Sequence, residues 1–528
     1  MVAYEKPTDT VAERKPAAVS LGCHVNGAAL PKADPGDVNT LMEGVTQRMG
    51  KKLPPVGRKK RRMFLRVLRK VCKEFIRKRG IKSIHPEEEC TIEEWLEGTS
   101  YPAWRKEELI REYNDTPNPL ERDNRGRLAR FIVKLFMKDE PYVDFKHARG
   151  IYAREDNAKI FFGPWVKKME HEIYKQPEFI KHVPVKDRPR YIFERLFADG
   201  AKYIVTDYSS WEAHFVAMLM DACEFVFYKH FLKYNPVGRE VFEIMKEVLQ
   251  GDNKVVNKFL KATIAARRMS GEMVTSLGNG LTNLMVMFTI CKINGIQEPV
   301  GVVEGDDGLF RFVGAHPTTT QFTENGFLIK LEAFDDLAKA GFCGNLFDTE
   351  DLQVVTDPYK VLHSFGWTTT RYLRSSSKKL LLLLRSKALS VAHQYPGCPI
   401  VSQLGHTFMR LTASFDIRGF VNKRRDLGVW ERAKLLAAIE SPIAYTEPGR
   451  GTRMLFEELY GISIFIQKKI EKYLAQLVSI KPLDLDHILD GTPPSWRIYF
   501  EKYSRNFSLS HSSREGLFGL DLNRLRFS

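Results

Sequence analysis

Val300-Gly-Val-Val-Glu304-Gly-Asp-Asp307-Gly-Leu-Phe-Arg-Phe-Val313 is the stretch on which the reading of this chain turns. Two β-rich runs, Val300 to Val303 and Gly308 to Val313, flank Glu304-Gly-Asp-Asp307, a composition that suits a tight turn between antiparallel strands. The tip of such a hairpin carries Gly305 and then two adjacent carboxylates, Asp306 and Asp307. Taken alone a Gly-Asp-Asp says little, because turns of that kind fill protein surfaces.

The surroundings change the odds. Tyr203-Ile-Val-Thr206 is strand-like and runs into Asp207; a helical pattern follows over about 211 to 233 and another over about 275 to 292. Strand, helix, helix, hairpin predicts an α+β unit with helices on one face of a small antiparallel sheet. In that unit Asp207 ends a neighbouring strand and converges on the hairpin tip, where three carboxylates repel unless cations hold them. Magnesium takes hard oxygen ligands, and two such ions about 3.5–4 Å apart stabilise both the attacking and the leaving oxygen of an in-line phosphoryl displacement. On the second helix Thr275, Asn279 and Asn283 recur every four residues as a polar stripe, and Leu277, Leu281, Leu284 and Phe288 form an apolar one. The ordinary alternative is a surface helix with its polar residues in water.

Composition bounds the rest. The 528 residues, 43% of them hydrophobic and 11% aromatic, fill real cores, in roughly three subdomains at about 100–200 residues each. A disordered basic chaperone is excluded. Lys and Arg outnumber Asp and Glu by 81 to 65, a net charge of +16 that calls for a polyanionic partner. Seven cysteines without a Cys-x-x-Cys pair support neither a disulfide framework nor a tetrahedral zinc site, and imply reduced thiols in a cytosolic setting. The most apolar run, Leu380 to Leu384, falls far short of the roughly 20 residues of a spanning helix.

Residues 1–56, rich in Pro, Ala, Gly and charge, read as an extended arm with little core of its own that lies across something else. Between Gly57 and Lys82 there are 13 Lys or Arg and one acidic residue, yet Phe64, Leu68, Val71, Cys72 and Phe75 recur at helical spacing. That is an amphipathic helix with a basic face: solvated in the ordinary case, otherwise a contact for RNA or an anionic membrane, or a nuclear-localisation-like run. Past Ser375 the pattern is mostly helical, with a polar, basic tail from about Tyr503.

Three segments carry a resemblance. Asp207-Tyr-Ser-Ser-Trp-Glu212, Ser270-Gly-x3-Thr275-x3-Asn279 and Gly305-Asp-Asp307 stand in the order and spacing of motifs A, B and C of viral RNA-dependent RNA polymerases, and the set resembles the tombusvirus-like group of positive-strand RNA viruses. Phe136-Met-Lys138-Asp-Glu140 with Lys146-His-Ala-Arg149 resembles motif F, and Tyr101-Pro-Ala-Trp-Arg105 sits where motif G falls. Gly341-Phe-Cys-Gly-Asn345 resembles the lead into motif E; Ser386-Lys-Ala-Leu-Ser390 and Tyr395-Pro-Gly-Cys-Pro399 resemble a stretch of the thumb.

The resemblance implies an α+β closed right hand. Its parts are an N-terminal arm (1–56), fingers (57–200 and 224–268), a palm with a small antiparallel sheet (201–223 and 269–372), and a mostly helical thumb and tail (373–528). It implies template-directed addition of NTPs to an RNA 3′-hydroxyl with two Mg²⁺ ions, which Mn²⁺ replaces, starting de novo. Asp207, Asp306 and Asp307 are the implied metal ligands, with Asp307 secondary. Asn279, with Glu212 and Thr275, is implied to select the ribose 2′-hydroxyl, although Glu212 stands where the group usually has Asp. Lys138, Lys146, Arg149 and Arg154 are implied to bind the triphosphate, the ordinary alternative being surface pairing with Glu140, Asp144 and Glu155. Ser270, Gly271 and Gly305 are assigned to the RNA and template loop. Lys330 is the implied general acid, with Lys339 a rival position. Partners are then a single-stranded viral RNA template, the nascent duplex and NTPs, with a viral replication-associated protein and host membranes in peripheral contact, in the host cytoplasm at membrane-associated replication complexes. A reverse transcriptase normally carries an aromatic gate in place of the Glu212 and Asn279 pair. A basic RNA-binding scaffold needs no such carboxylates.

Overall fold

The hairpin forms over Val300–Glu304 and Asp307–Phe312, with Glu304 facing Asp307 across a two-residue turn. The structure, a computed structural model, describes residues 2–5, 18–116, 120–124, 126, 128, 131–442 and 444–504. The hairpin joins Lys202–Tyr208 and Ile329–Phe334 in a four-stranded antiparallel sheet, ordered Ile329–Phe334, Lys202–Tyr208, Asp307–Phe312, Val300–Glu304. Strand alternation covers both faces. Ile204, Val303 and Phe310 turn toward the helical layer, while Tyr203, Val302 and Leu309 pack with Ile192, Leu196 and Leu337.

The helix Thr275–Ile293 lies in that layer, and every residue from Leu277 to Cys291 is buried except Asn279. Of its polar stripe Asn283 is fully buried and Thr275 and Asn279 are half-buried, so this is not the surface helix of the ordinary alternative. Against it packs the basic helix Arg58–Arg79, Phe75 meeting Phe288 with ring centroids 6.3 Å apart. Phe64, Leu68, Val71, Cys72 and Phe75 point inward, and Lys59, Arg62, Arg66, Lys73 and Arg77 remain exposed. The continuous helical pattern expected over 211–233 is broken. A 3₁₀ turn covers Trp211–His214, and helices cover Ala217–Ala222 and Glu224–Leu232, with Cys223 between them out of helical geometry (φ −120°, ψ −91°). Packing overrides the pattern here: His214 stacks on Phe327 at 5.7 Å and Trp211 on Tyr208 at 4.0 Å, which fixes a tight turn that no glycine or proline announces.

A second, five-stranded sheet runs in the order Val2–Glu5, Leu260–Ala265, Asp252–Val256, Val133–Met137, Gly150–Arg154. It is antiparallel apart from the parallel pairing of Val133–Met137 with Asp252–Val256. Sequence segments on either side of Asp207 thus share one sheet. The N-terminal segment contributes more core than expected, since Leu41, Val45 and Met49 pack beneath that sheet with Leu135, Tyr152 and Ile264. It also lies across the molecule. Val19–Ser20 pairs with Trp367–Thr368, Val25 bridges to Leu483, Ala29 N–H donates to Trp496 O at 3.2 Å, and Lys32 bridges to Pro141.

From Ser377–Gln394 to Pro494–Tyr503 the chain is helical, around a core that includes Leu384, Leu404, Phe408 and Phe456. Trp104 Nε1 donates to Asn422 O at 3.0 Å, so this region also touches the helix Ala103–Asp115 directly. The basic tail from 505 onward lies outside the described residues. The cysteines are all free, and among the described residues no helix is long and apolar enough to cross a membrane.

Candidate functional site: a carboxylate cluster at the hairpin tip

Gly305 takes φ 64°, a left-handed value that glycine adopts without steric cost, and Asp306 has no positive φ; the pair matches a II′ turn, whose twist suits a hairpin. Asn283, fully buried, donates Nδ2 to Asp306 O at 2.9 Å and clamps the turn to the helix behind it. On the other side a Cβ at Gly308 would stand 2.6 Å from Thr206 Oγ1, so the glycine lets the hairpin close against Lys202–Tyr208. The ladder pairs Thr206 with Gly308, which sets Asp207 one residue further along, toward Asp307.

Asp207, Asp306 and Asp307 are all open to solvent, while protein rings the latter two closely, as at the floor of a cavity. Desolvation is the main cause that pushes the Asp306 carboxyl up, reinforced by the charges of Glu212 and Asp207 and opposed by Arg149. Asp307 is pushed up to about 7, by desolvation first and then by Asp306, Asp207 and Glu304, with a hydrogen bond to Cys343 pulling the other way. Asp306 and Asp307 both feel the charge of Asp207, while Arg149 opposes the negative charge at Asp306 and the Asp207 charge reaches Lys330. Among the described residues no three His, Cys, Asp or Glu side chains are grouped closely enough to hold a metal ion by themselves. An all-oxygen set with excess negative charge nevertheless fits Mg²⁺, which binds through one or two carboxylates, waters and substrate phosphates more often than in an all-protein cage.

Lys330 faces Asp207 across the sheet, and its pKa is raised chiefly by Glu332 at 2.8 Å, with the charge of Asp207 a smaller cause. Lys339 instead pairs with Glu458 at 2.5 Å, away from the cluster. Of the basic residues, Arg149 faces Asp306 electrostatically and holds Glu140 through both guanidinium arms at 2.6 and 3.1 Å. Lys138 pairs with Glu140 at 2.8 Å and Lys134 with Glu155 at 3.3 Å, so the surface-pairing alternative is partly realised. Lys146 is exposed.

Arg154 is a correction. It is buried, and its guanidinium is committed to Glu272, Asn253 and the carbonyls of Phe131 and Val248, leaving nothing to offer a phosphate. The Thr275 hydroxyl donates to Met269 O at 3.1 Å and closes the preceding loop. Ser270 and Gly271 dock that loop on Gly150–Arg154, with Ser270 Oγ accepting from Tyr152 N–H at 3.2 Å and Gly271 N–H donating to Tyr152 O at 3.0 Å.

Glu212 and Asn279 do not bond to each other. Glu212 is held by Arg48, Nε to Oε1 at 2.7 Å and Nη2 to Oε2 at 3.2 Å, while Asn279 Oδ1 accepts from Arg268 Nε at 3.1 Å. Sequence reasoning missed both arginines. Arg48 lies 164 residues before its partner; the unusual glutamate, one methylene longer than Asp, was the available hint. Arg268 stands just before Ser270, and nothing in its charge announces burial.

No protein-family model matches the chain. Among curated proteins, it is 24% identical over 269 residues to the RNA-directed RNA polymerase of Atlantic halibut nervous necrosis virus, a match covering 48% of this chain and 25% of the relative. The enzymes of the same name from Greasy grouper and Striped jack nervous necrosis viruses match at 24% over 188 residues and 25% over 189, each covering 34% of this chain and 18% of the relative. The match thus spans about a quarter of the relatives' length or less. These relatives give no support to a tombusvirus-like grouping.

Proposed function

We propose that this chain is the RNA-dependent RNA polymerase of a positive-strand RNA virus. The observation that carries the reading is the mutual repulsion of Asp207, Asp306 and Asp307 at a strand end and hairpin tip, with Arg149 facing Asp306 and Lys330 beside Asp207. Similarity to the polymerases of nervous necrosis viruses supports it, and the spelling of the three motifs remains the sole support for kinship with the tombusvirus-like group. In this reading Asp207 and Asp306 hold two Mg²⁺ ions, with Asp307 beside them; Mn²⁺ substitutes. Bound there, the ions stabilise charge on the attacking 3′-oxygen and on the departing pyrophosphate.

The protein's own part is positioning. Arg149, balanced on Glu140, draws the triphosphate over Asp306, and Lys138 and Lys146 extend the positive rim. Lys330, beside Asp207, gives its proton to pyrophosphate. Glu212 and Asn279 read the ribose. The four-stranded sheet is the palm, the five-stranded sheet belongs to the fingers, and the C-terminal helices form the thumb. The N-terminal segment and the Trp104 contact close the hand. Template and nascent duplex occupy the enclosed channel, and the basic excess gives binding a steep salt dependence. Synthesis starts de novo, and the enzyme works in the host cytoplasm, held peripherally at membrane-associated complexes with a replication-associated viral protein.

The test is incorporation of labelled NTPs by the purified protein on single-stranded RNA without primer, with Mg²⁺ or Mn²⁺, beside a dNTP control. Metal-dependent product from NTPs alone is expected. Product only when a primer is annealed removes de novo initiation, and no product on either template, with RNA binding intact, returns the chain to a binding scaffold.

A further inference from the structure

We infer that Arg268 decides which atom of the Asn279 amide faces the nucleotide, and so which hydrogen-bonding character of the ribose hydroxyl is read. The inference rests on the polymerase reading above. Arg268 is 1% exposed, with its guanidinium 4.2 Å over the Phe215 ring. Nη2 donates to Glu224 Oε2 at 2.5 Å, Nη1 to Glu272 Oε2 at 3.4 Å, and Nε to Asn279 Oδ1 at 3.1 Å; its main-chain N–H donates to Glu212 O at 3.3 Å. One residue thus ties the two candidate ribose contacts together.

A guanidinium has donors only and keeps its charge in proteins, so the Asn279 atom facing Nε–H is the carbonyl oxygen. A flipped amide would set two donors against each other in a buried place and leave both bonds unmade. Asn279 Nδ2 makes no hydrogen bond among the described residues and is left to a ligand. Gly278 fits the same account. A Cβ there would overlap Glu224 Oε2 and stand 2.6 Å from Arg268 Nη2, so its absence lets the ion pair lie flush against the helix that carries Asn279. Asn279 is then a donor and Glu212, already fixed by Arg48, an acceptor. A 2′-hydroxyl satisfies both: it accepts from the amide and donates to the carboxylate.

The test compares ATP, 2′-fluoro-2′-deoxy-ATP and 2′-deoxy-ATP in single-nucleotide addition to a primed RNA, with melting temperature as the control for folding. Fluorine accepts weakly and cannot donate, so the parent protein is expected to rank the three in that order. In Arg268→Gln the amide is free to turn; the ATP to dATP ratio of kcat/KM should fall about tenfold, chiefly through KM. A purely structural role would depress all three substrates by one factor and leave the ratio unchanged, which overturns the inference. Asn279→Asp keeps the shape, pairs with Arg268 and should melt no lower than the parent. It should lose the preference for fluoro over deoxy, and persistence of that preference also overturns the inference. Should Arg268→Gln fail to fold, Asn279→Asp decides alone. A parent protein that adds no nucleotide at all defeats the polymerase reading and this inference with it, whereas addition with unaltered ratios defeats only the inference.

Discussion

Two groups of charges lie on either side of the helix start at Thr275, and they are built on opposite terms. At the hairpin tip, Asp207, Asp306 and Asp307 repel one another in the open, and among the described residues no ion pair seals any of them, although Arg149 opposes the charge at Asp306. Behind the helix, Arg154, Glu272, Arg268 and Glu224 alternate in sign, at most 4% exposed, and Tyr228 closes the chain with a 2.9 Å bond to Glu224. The first group is frustrated and accessible, the second satisfied and sealed. Frustrated charge is poised for a partner from outside; satisfied charge holds a shape, through three buried ion pairs that contribute little net stability.

The sharpest way to break this contrast is to neutralise one member of each group. Asp306→Asn should abolish nucleotide addition while melting no lower than the parent, because it removes a repelling charge; activity above background, or a clear loss of thermal stability, would place Asp306 among the satisfied charges. Glu272→Ala, which strands Arg154 and part of Arg268 without an acceptor, should destabilise the fold by about 3–5 kcal/mol, read by denaturant titration. A loss under 1 kcal/mol would show the sealed chain to be dispensable.

A smaller effect separates two lysines. Lys330→Ala should slow addition about a hundredfold at saturating NTP, the scale of a lost general acid, while Lys339→Ala leaves the rate alone. The reverse result would move the proton donor to the Glu458 pair. The smallest effect sharpens the electrostatics. Because Asp307 is raised to about 7, the folded protein holds a proton that the unfolded chain releases above the ordinary carboxylate range. Its contribution to stability therefore falls as pH rises through that window. Divalent cation displaces the same proton, so the rise in melting temperature on adding Mg²⁺ should be larger at pH 8 than at pH 5.5, and absent in Asp306→Asn. Equal shifts at both pH values would contradict the repulsion described.

How much of this was legible beforehand follows from separation along the chain. The hairpin and the helix Thr275–Ile293 were readable because turn chemistry and periodicity are local, and Asp207 followed from the strand before it. The strand Ile329–Phe334, which places Lys330, was marked only by its likeness to a motif. The tight turn at Trp211–His214 was invisible because ring packing, not a helix-breaking residue, fixes it. Arg154 read as a cation for the triphosphate and Arg48 as part of an extended arm with little core. Burial of an arginine depends on acids brought from more than a hundred residues away, Glu272 in one case and Glu212 in the other. Charge in a sequence tells how many ions there are and not which of them meet water.

The segment that lies across the molecule sets a timetable for manufacture. Val25 waits for Leu483, and Tyr499 reaches back 467 residues to the carbonyl of Lys32. At about 5–20 residues per second of synthesis, such partners emerge from the ribosome roughly half a minute to a minute and a half after the arm does. Until then the arm's apolar residues, Cys23, Val25 and Leu30 among them, have no seat. A nascent chain, or a translation product interrupted before residue 480, thus lacks the contacts that tie Val25 and Lys32 to Leu483 and Tyr499.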